Sequence, residues 1–479
     1  MSTDILPASG SRQDFLPAMG VAMDGAEQIP ALPAGRRPTV IVKGVDAGHC
    51  YLTWRWLDRL KHPEFHVIER DTVAAIMDRL DAATPRAAMT GPASGAFDSL
   101  LLDADQERMF FAGECAALLP EPLLRQIRDE KERLPAGEYP TIRIYPPPSL
   151  ARLPWELLVV DGEQERLLDC ANLQLEVPVT ARADRDHRQQ AAGSDGSPVP
   201  DGTTGPVVYL LDPRAGLGQV LPPFRSAANV LVERIAVMRE RGRLPIGVTR
   251  LSDVLHRSIG RDRLSDMLTA DPAPSRLVYV GHVSSADIAN DRPESAAMHL
   301  ADNANVPGYA APITTRNRGR HVPFTALDLL ADAPDTSRGA GPQLPSGPHR
   351  WPMPPRVALL GCDSGSDHRF TEAFGLVIAM IINGAELVTA TRWVLPTDYF
   401  FHDVLGVPSA INPTASMIAA VDDAHESADP VGTLQAWQRA RLECWRASGD
   451  VADSPVVWAA LTTHHAPALV PDAPVEAMT

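Results

Sequence analysis

Three short, unbroken apolar runs punctuate the second half of the chain: Val207-Val208-Tyr209-Leu210-Leu211, Leu277-Val278-Tyr279-Val280 and Val357-Ala358-Leu359-Leu360. Each runs into glycine or proline within two residues. Such runs, without polar alternation, mark strands covered on both faces, as in parallel sheets between helix layers. Apolar spacing predicts helices at about Ser226 to Arg241 and Ser252 to Leu268, and a short one at Phe324 to Leu330. After the third run come an apolar helix at Glu372 to Ile382 closed by Asn383-Gly384, a strand at Ala385 to Thr391, and an amphipathic helix at Gly432 to Arg446. Strands alternating with helices from Val207 onward predict a parallel sheet with right-handed crossovers. Two long Pro/Gly-rich connections, about Asn290 to His321 and Asp335 to Trp351, interrupt the order; connections of this length are functional or mobile.

Residues 37–180 read as a mixed α/β half. Thr39 to Lys43 and Ile142 to Tyr145 are predicted strands; Tyr51 to Leu60, Thr72 to Leu80 and Glu121 to Arg133 are predicted helices, Pro122 being tolerated in a first turn. His49-Cys50 reads as a helix start and not as a dyad, because adjacent residues on regular structure point apart. Residues 181–206 are polar and rich in Gly, Pro and Ser, which predicts a flexible linker. Residues 1–36 are aperiodic and rich in Pro, Gly, Ala and Ser, which predicts a disordered tail. Within that tail Asp4-Ile5-Leu6-Pro7-Ala8-Ser9-Gly10 is echoed by Asp14-Phe15-Leu16-Pro17-Ala18-Met19-Gly20, and more weakly by Leu32-Pro33-Ala34-Gly35. Two readings stand: chance in a biased composition, or a repeated docking motif.

Composition narrows the function. With 479 residues, 44% hydrophobic, the chain can bury substantial cores. A net charge of -16, without any lysine- or arginine-rich run, argues against direct nucleic-acid binding. The five cysteines are widely spaced, with no CxxC pair, which argues against structural zinc and a disulfide framework. Neither a signal-peptide pattern at the start nor a window of ~18 apolar residues is present, so the expected compartment is the cytoplasm, away from the membrane. Nothing in the pattern calls for a cofactor or a metal.

The candidate chemistry lies just beyond two of the apolar strands. One delivers Gly281-His282, the other Gly361-Cys362, and ligands of open α/β sheets bind at carboxyl ends of strands. A free thiol is only about 3% thiolate at pH 7, so a nucleophilic cysteine needs its anion stabilised. His282 and the N-terminal end of the helix expected after Cys362 are the two candidates. The reaction that fits is acyl transfer, with thiolate attack on a carbonyl, backbone N–H groups holding the oxyanion and His282 protonating the leaving amine. Ser364 stands one place late for a G-x-S-x-G nucleophile elbow.

The succession Leu153-Pro154-Trp155-Glu156-Leu157-Leu158, Asp212-Pro213, Gly281-His282, Leu360-Gly361-Cys362-Asp363-Ser364-Gly365, Gly384-Ala385 to Trp393 and Trp458-Ala459 resembles the CHAT domain, a group of caspase-like, separase-related cysteine peptidases. The likeness runs from about Phe110 to Ala466, in the family's order. It implies a caspase-like parallel-sheet sandwich of α/β class, with residues 207–479 as the catalytic half and the CHAT region starting near residue 110 inside the half spanning 37–180. It also implies a cysteine endopeptidase in which His282 and Cys362 match the catalytic dyad. Such domains are regulated effectors in bacterial conflict, immunity or cell death, so the implied partners are a protein substrate and an activating or sensor protein. The family's oxyanion donors fall on the backbone of Val283 and Cys362, with valine standing where the family has glycine. No 34-residue helical repeat accompanies the domain, which leaves sensing to the N-terminal segment or to another protein. Asp212 and Asp363 have two readings: P1-pocket carboxylates selecting arginine or lysine, or caps of a turn and a helix. The linker likewise reads as passive, or as an activation site whose Arg182, Arg185 and Arg188 suit basic-selective self-cleavage. The rival to the enzyme is an inactive caspase-like scaffold, a reading Val283 favours.

Overall fold

The computed structural model describes residues 37–58, 63–85, 96–161, 165–192, 202–222, 229–316, 319–331 and 347–467. The expected tail with its repeats, residues 193–201 of the expected linker and residues 335–346 of the second long connection lie outside the described residues.

In chain order the strands are β1 (Thr39–Ala47), β2 (His49–Trp56), β3 (Glu64–Ile68), β4 (Thr141–Tyr145), β5 (Asn172–Leu175), β6 (Val207–Leu211), β7 (Arg276–Val280), β8 (Val283–Ser284), β9 (Ala297–Met298), β10 (Ile313–Thr314), β11 (Arg320–His321), β12 (Phe324–Thr325), β13 (Arg356–Leu360), β14 (Leu387–Thr391) and β15 (Leu461–His465). Ten of them form one mixed, mostly parallel sheet in the order β3-β2-β1-β4-β5-β15-β14-β13-β7-β6. The antiparallel pairs are β3–β2, β2–β1 and β15–β14; the rest run parallel. The expected halves at 37–180 and 207–479 therefore meet inside a single sheet, through the β5–β15 pairing.

Alternation along the central strands explains why that sheet is covered twice. Val207, Tyr209 and Leu211 of β6, with Val278 and Val280 of β7, enter one core shared with the helix Pro413–Glu426. Val208 and Leu210, with Leu277 and Tyr279, enter a second core shared with the helix Leu376–Ile382. Successive side chains point to opposite faces. An all-apolar run is what two buried faces require.

The antiparallel ribbon at the other end corrects the sequence reading. Tyr51 to Leu60, expected as a helix, belongs in its first part to β2, and His49-Cys50 opens that strand, not a helix. Cys50, Leu52, Trp54 and Trp56 are buried while Thr53 and Arg55 are exposed, the period of two that a one-sided strand requires.

The expected flexible linker is also corrected over its first part. Val179–Ala192 is helical, and Arg185 within it is fully buried. Its Nη1 donates to the carbonyls of Ala385 and Ala466, which flank β14 and β15. A polar, arginine-rich stretch is thus drawn into the protein because a guanidinium can satisfy carbonyls left over where two strands end. Among the described residues no helix is long and apolar enough to cross a membrane.

Candidate functional site

β7 and β13 are neighbours, paired residue for residue from Arg276 and Arg356 to Val280 and Leu360. Gly281 then donates to the Leu360 carbonyl at 3.2 Å. His282 and Cys362 are each the second residue past the last pair. Neighbouring strands lie ~4.8 Å apart, so matched register puts both residues at adjacent positions on one sheet edge. The two glycines permit the crossing: a Cβ on Gly361 would lie 2.4 Å from Val283 Cγ2 and 2.8 Å from the Gly281 carbonyl oxygen.

His282 is half-buried, and its Nε2 lies 2.7 Å from the Gly218 carbonyl oxygen. A carbonyl only accepts, so Nε2 carries the proton and Nδ1 of the neutral ring keeps its lone pair. The loop bearing Gly218 is held by Asp212. Asp212 Oδ2 accepts from the N–H groups of Val220 at 2.8 Å and Leu221 at 3.1 Å, and lies 3.0 Å from His256 Nε2. Asp212 therefore acts as the turn-holding residue of its two readings. It reaches the site indirectly, by fixing the loop that orients His282.

Cys362 is half-buried, and its thiol is pushed up to about 11, first by burial. The Leu395 N–H opposes that shift and the neighbouring Asp363 charge adds to it. The expected helix stabiliser is corrected. A 3-10 turn, Ser366–Arg369, follows the cysteine, and the α-helix begins only at Leu376. That helix start is occupied by Asp367, whose carboxylate accepts from Val377 and Ile378. Within the cysteine turn, Asp363 N–H is bound to the Trp393 carbonyl at 3.0 Å and Gly365 N–H to the Thr391 carbonyl at 2.8 Å. Ser364 spends its hydroxyl on the Leu359 carbonyl at 2.6 Å and accepts from the Thr391 N–H at 3.1 Å, a structural role. The described residues show no hydrogen bond between the His282 ring and the Cys362 thiol.

Asp363 does not cap a helix. Its Oδ2 accepts from Arg369 Nη1 at 2.9 Å and from Ser285 Oγ at 3.3 Å, while Oδ1 is buried and finds no partner among the described residues. Burial raises its pKa; the charges of Arg369 and Arg152 and the Ser285 hydrogen bond pull it back. Ser285 also lines a cleft of about 610 Å³ beside the small sheet formed by β12, β9 and β8. Val283 lies in that sheet opposite Met298. The next bond of the ladder runs from His299 N–H to the His282 carbonyl, so Val283 is a non-hydrogen-bonded position and its N–H points away from β9.

Several of the separated motifs converge beside this edge. Glu156, in the turn Trp155–Leu157, binds Arg392 at 2.8 and 2.9 Å, just past the end of β14. Arg392 also donates to the Leu153 and Leu461 carbonyls, and Trp393 Nε1 to the Val456 carbonyl at 2.9 Å. Among the described residues no group of three or more His, Cys, Asp or Glu side chains is arranged to hold a metal ion.

Sequence reasoning missed Arg369 and Leu395, which act on the site through the fold and carry no local signal. It also missed a buried chain that runs from Ser284, at the cleft wall, to His299 and His321. Compared with protein-family models and with curated proteins, the chain finds no match in either.

Proposed function

We propose that the chain is a CHAT-type, caspase-like cysteine endopeptidase that cuts a partner protein, with Cys362 as nucleophile and His282 as base and then acid. The observation that carries this reading is the matched register of β7 and β13, which brings a histidine and a cysteine to adjacent strand ends of one sheet. His282 Nδ1 takes the thiol proton. The thiolate sulfur then attacks the scissile carbonyl, and the N–H groups of Val283 and Cys362 receive the oxyanion. His282 passes the proton to the leaving amine, and water hydrolyses the thioester.

A thiol held near 11 is a resting nucleophile, which suits an effector switched on by a sensor or partner protein in a bacterial conflict, immunity or cell-death system. Asp363, with one carboxylate oxygen unpartnered among the described residues, suits a basic P1 side chain that displaces Arg369. The compartment that keeps such a thiol reduced is the cytoplasm.

The second reading is an inactive caspase-like scaffold. It is favoured by the His282 hydrogen bond to Gly218 and by the absence of a bond to the thiol among the described residues. Cleavage of a mixed-sequence peptide library by wild type and Cys362→Ala, with and without candidate activating proteins, separates the two. Cleavage that disappears in Cys362→Ala and prefers Arg or Lys at P1 supports the peptidase and its pocket. Cleavage preferring acidic or apolar P1 removes the pocket. Folded wild type that never cleaves, yet binds the same partner as Cys362→Ala, leaves the scaffold.

A further inference from the structure

A second set of reactive groups runs inward from the cleft wall, from the small β12–β9–β8 sheet to the separate two-stranded sheet β10–β11. Ser284 ends β8, His299 follows β9 and His321 ends β11, and each is at least nine-tenths buried. Their protons can be placed by elimination. His321 Nδ1 lies 2.8 Å from the Asp302 carbonyl oxygen, which can only accept, so Nδ1 carries the proton and Nε2 accepts. His299 Nδ1, 3.0 Å from that Nε2, must then be the donor. This leaves the His299 Nε2 lone pair to accept from Ser284 Oγ at 2.7 Å. Burial keeps both rings neutral, lowering the His321 pKa and pushing His299 down to about 3. The order hydroxyl, imidazole, orienting imidazole is that of a serine hydrolase relay.

Of the three side chains, Ser284 is the one whose residue borders open space. Ser284 lines the cleft of about 610 Å³, together with Tyr309, Pro312, Ile313 and Leu327. We propose that Ser284, aligned by His299 and His321, is a second nucleophile of this protein that accepts acyl groups from activated esters bound in the cleft. This site stands apart from the cysteine reading, since neither Cys362 nor the His282 ring takes part.

In the reaction, Ser284 Oγ forms a bond to the ester carbonyl carbon while its proton passes to His299 Nε2. Collapse of the adduct breaks the bond to the leaving oxygen, which takes the proton back from His299. Water then cleaves the acyl-serine through the same base, giving the acid and restoring the hydroxyl, the alcohol having left in the first step. The weak basicity of His299 limits the leaving groups to good ones such as phenolates, and amides lie outside its range.

The test uses the full chain and a reporter-bearing fluorophosphonate, which forms an Oγ–P bond as fluoride leaves and the serine proton is released through His299. Peptide mapping is expected to find the label on Ser284 in wild type and in Cys362→Ala, and at least tenfold less in His299→Gln. Hydrolysis of p-nitrophenyl butyrate, measured in a Cys362→Ala background so that the other proposed nucleophile contributes nothing, is expected to fall at least tenfold when Ser284→Ala is added. If His299→Gln does not fold, His321→Gln replaces it, with the same expected loss. No label on Ser284 in folded wild type, label unchanged in the folded histidine variant, or ester hydrolysis kept when Ser284→Ala is added to Cys362→Ala each overturns the proposal. None of these outcomes bears on cleavage of the peptide library, so this proposal and the peptidase reading can fail separately.

Discussion

Titrating Cys362 tests whether the nucleophile rests as a thiol. Raising its pKa from 9.0 to about 11 penalises the anion through burial first, against the help of the Leu395 N–H. Two decades of ionisation cost ~2.7 kcal/mol. At pH 7.5 the thiolate fraction is then ~0.03%, against ~3% for a thiol at 9.0, so alkylation should run ~100-fold slower than for a small reference thiol of that pKa. The assay is iodoacetamide labelling from pH 6.5 to 10, with mass spectrometry resolving each cysteine peptide. The Cys362 rate is expected to climb close to tenfold per pH unit through pH 9.5 without a plateau. A plateau below pH 8 that vanishes in His282→Ala would refute the reasoning, because it would mean that an imidazolium already holds the thiolate and that burial does not dominate. Labelling that becomes fast near neutral pH only when a partner protein is added would identify the activation step.

Further expectations concern stability. His299 and His425 are pushed down to about 3, and His368 and His465 to about 4, in each case chiefly by burial. These folded-state values lie below ~6.5, so the unfolded chain binds more protons as pH falls, and each ring withdraws ~2 kcal/mol of stability by pH 5. Asp367, raised to about 7 by burial, works the other way and returns ~2 kcal/mol over the same window. Circular dichroism should find acid unfolding near pH ~5, given net stabilities of ~5–15 kcal/mol; a fold unchanged at pH 4 would contradict the buried, neutral rings. Glu156→Ala leaves Arg392 buried without its carboxylate and should cost ~3–5 kcal/mol in urea titrations, while a loss under ~1 kcal/mol would remove the pair from the core. Arg185→Ala uncovers the Ala385 and Ala466 carbonyls and should cost ~2–4 kcal/mol; in native wild type, trypsin should spare Arg185, and rapid cutting there would restore the flexible-linker reading.

The parts of the fold legible in the sequence are those where one physical rule acts alone. β6 is apolar throughout, and β7 and β13 after their opening arginines, because both faces are covered, and the helix Glu121–Arg133 appears where its apolar spacing puts it. β2 has the period of two of a one-sided strand, although Tyr51 to Leu60 was expected as a helix. β15 was invisible because Thr462, Thr463 and His464 are polar yet buried, as was the burial of Arg185, which depends on carbonyls 200 and 281 residues away. Of the candidate site, His282 and Cys362 could be found because each directly follows the glycine that ends its strand. Asp212 was found with its role left open, since a carboxylate after a strand serves a turn and a pocket equally well. Ser284, His299 and His321 could not be found, because tertiary pairing alone brings them together across 15 and 22 positions of chain.

The place of β15 in the sheet has a consequence for the order of events during synthesis. Among the described strands, those made first, β1 to β5, have no sheet neighbour from the later group except through residues 461–465, which pair with β5 on one side and β14 on the other. A ribosome therefore releases nearly the whole described chain before the strand that joins its two ends is free to enter. Until then β5 and β14 both present unpaired edges, the condition in which chaperones are most needed and misassembly between neighbouring chains is easiest.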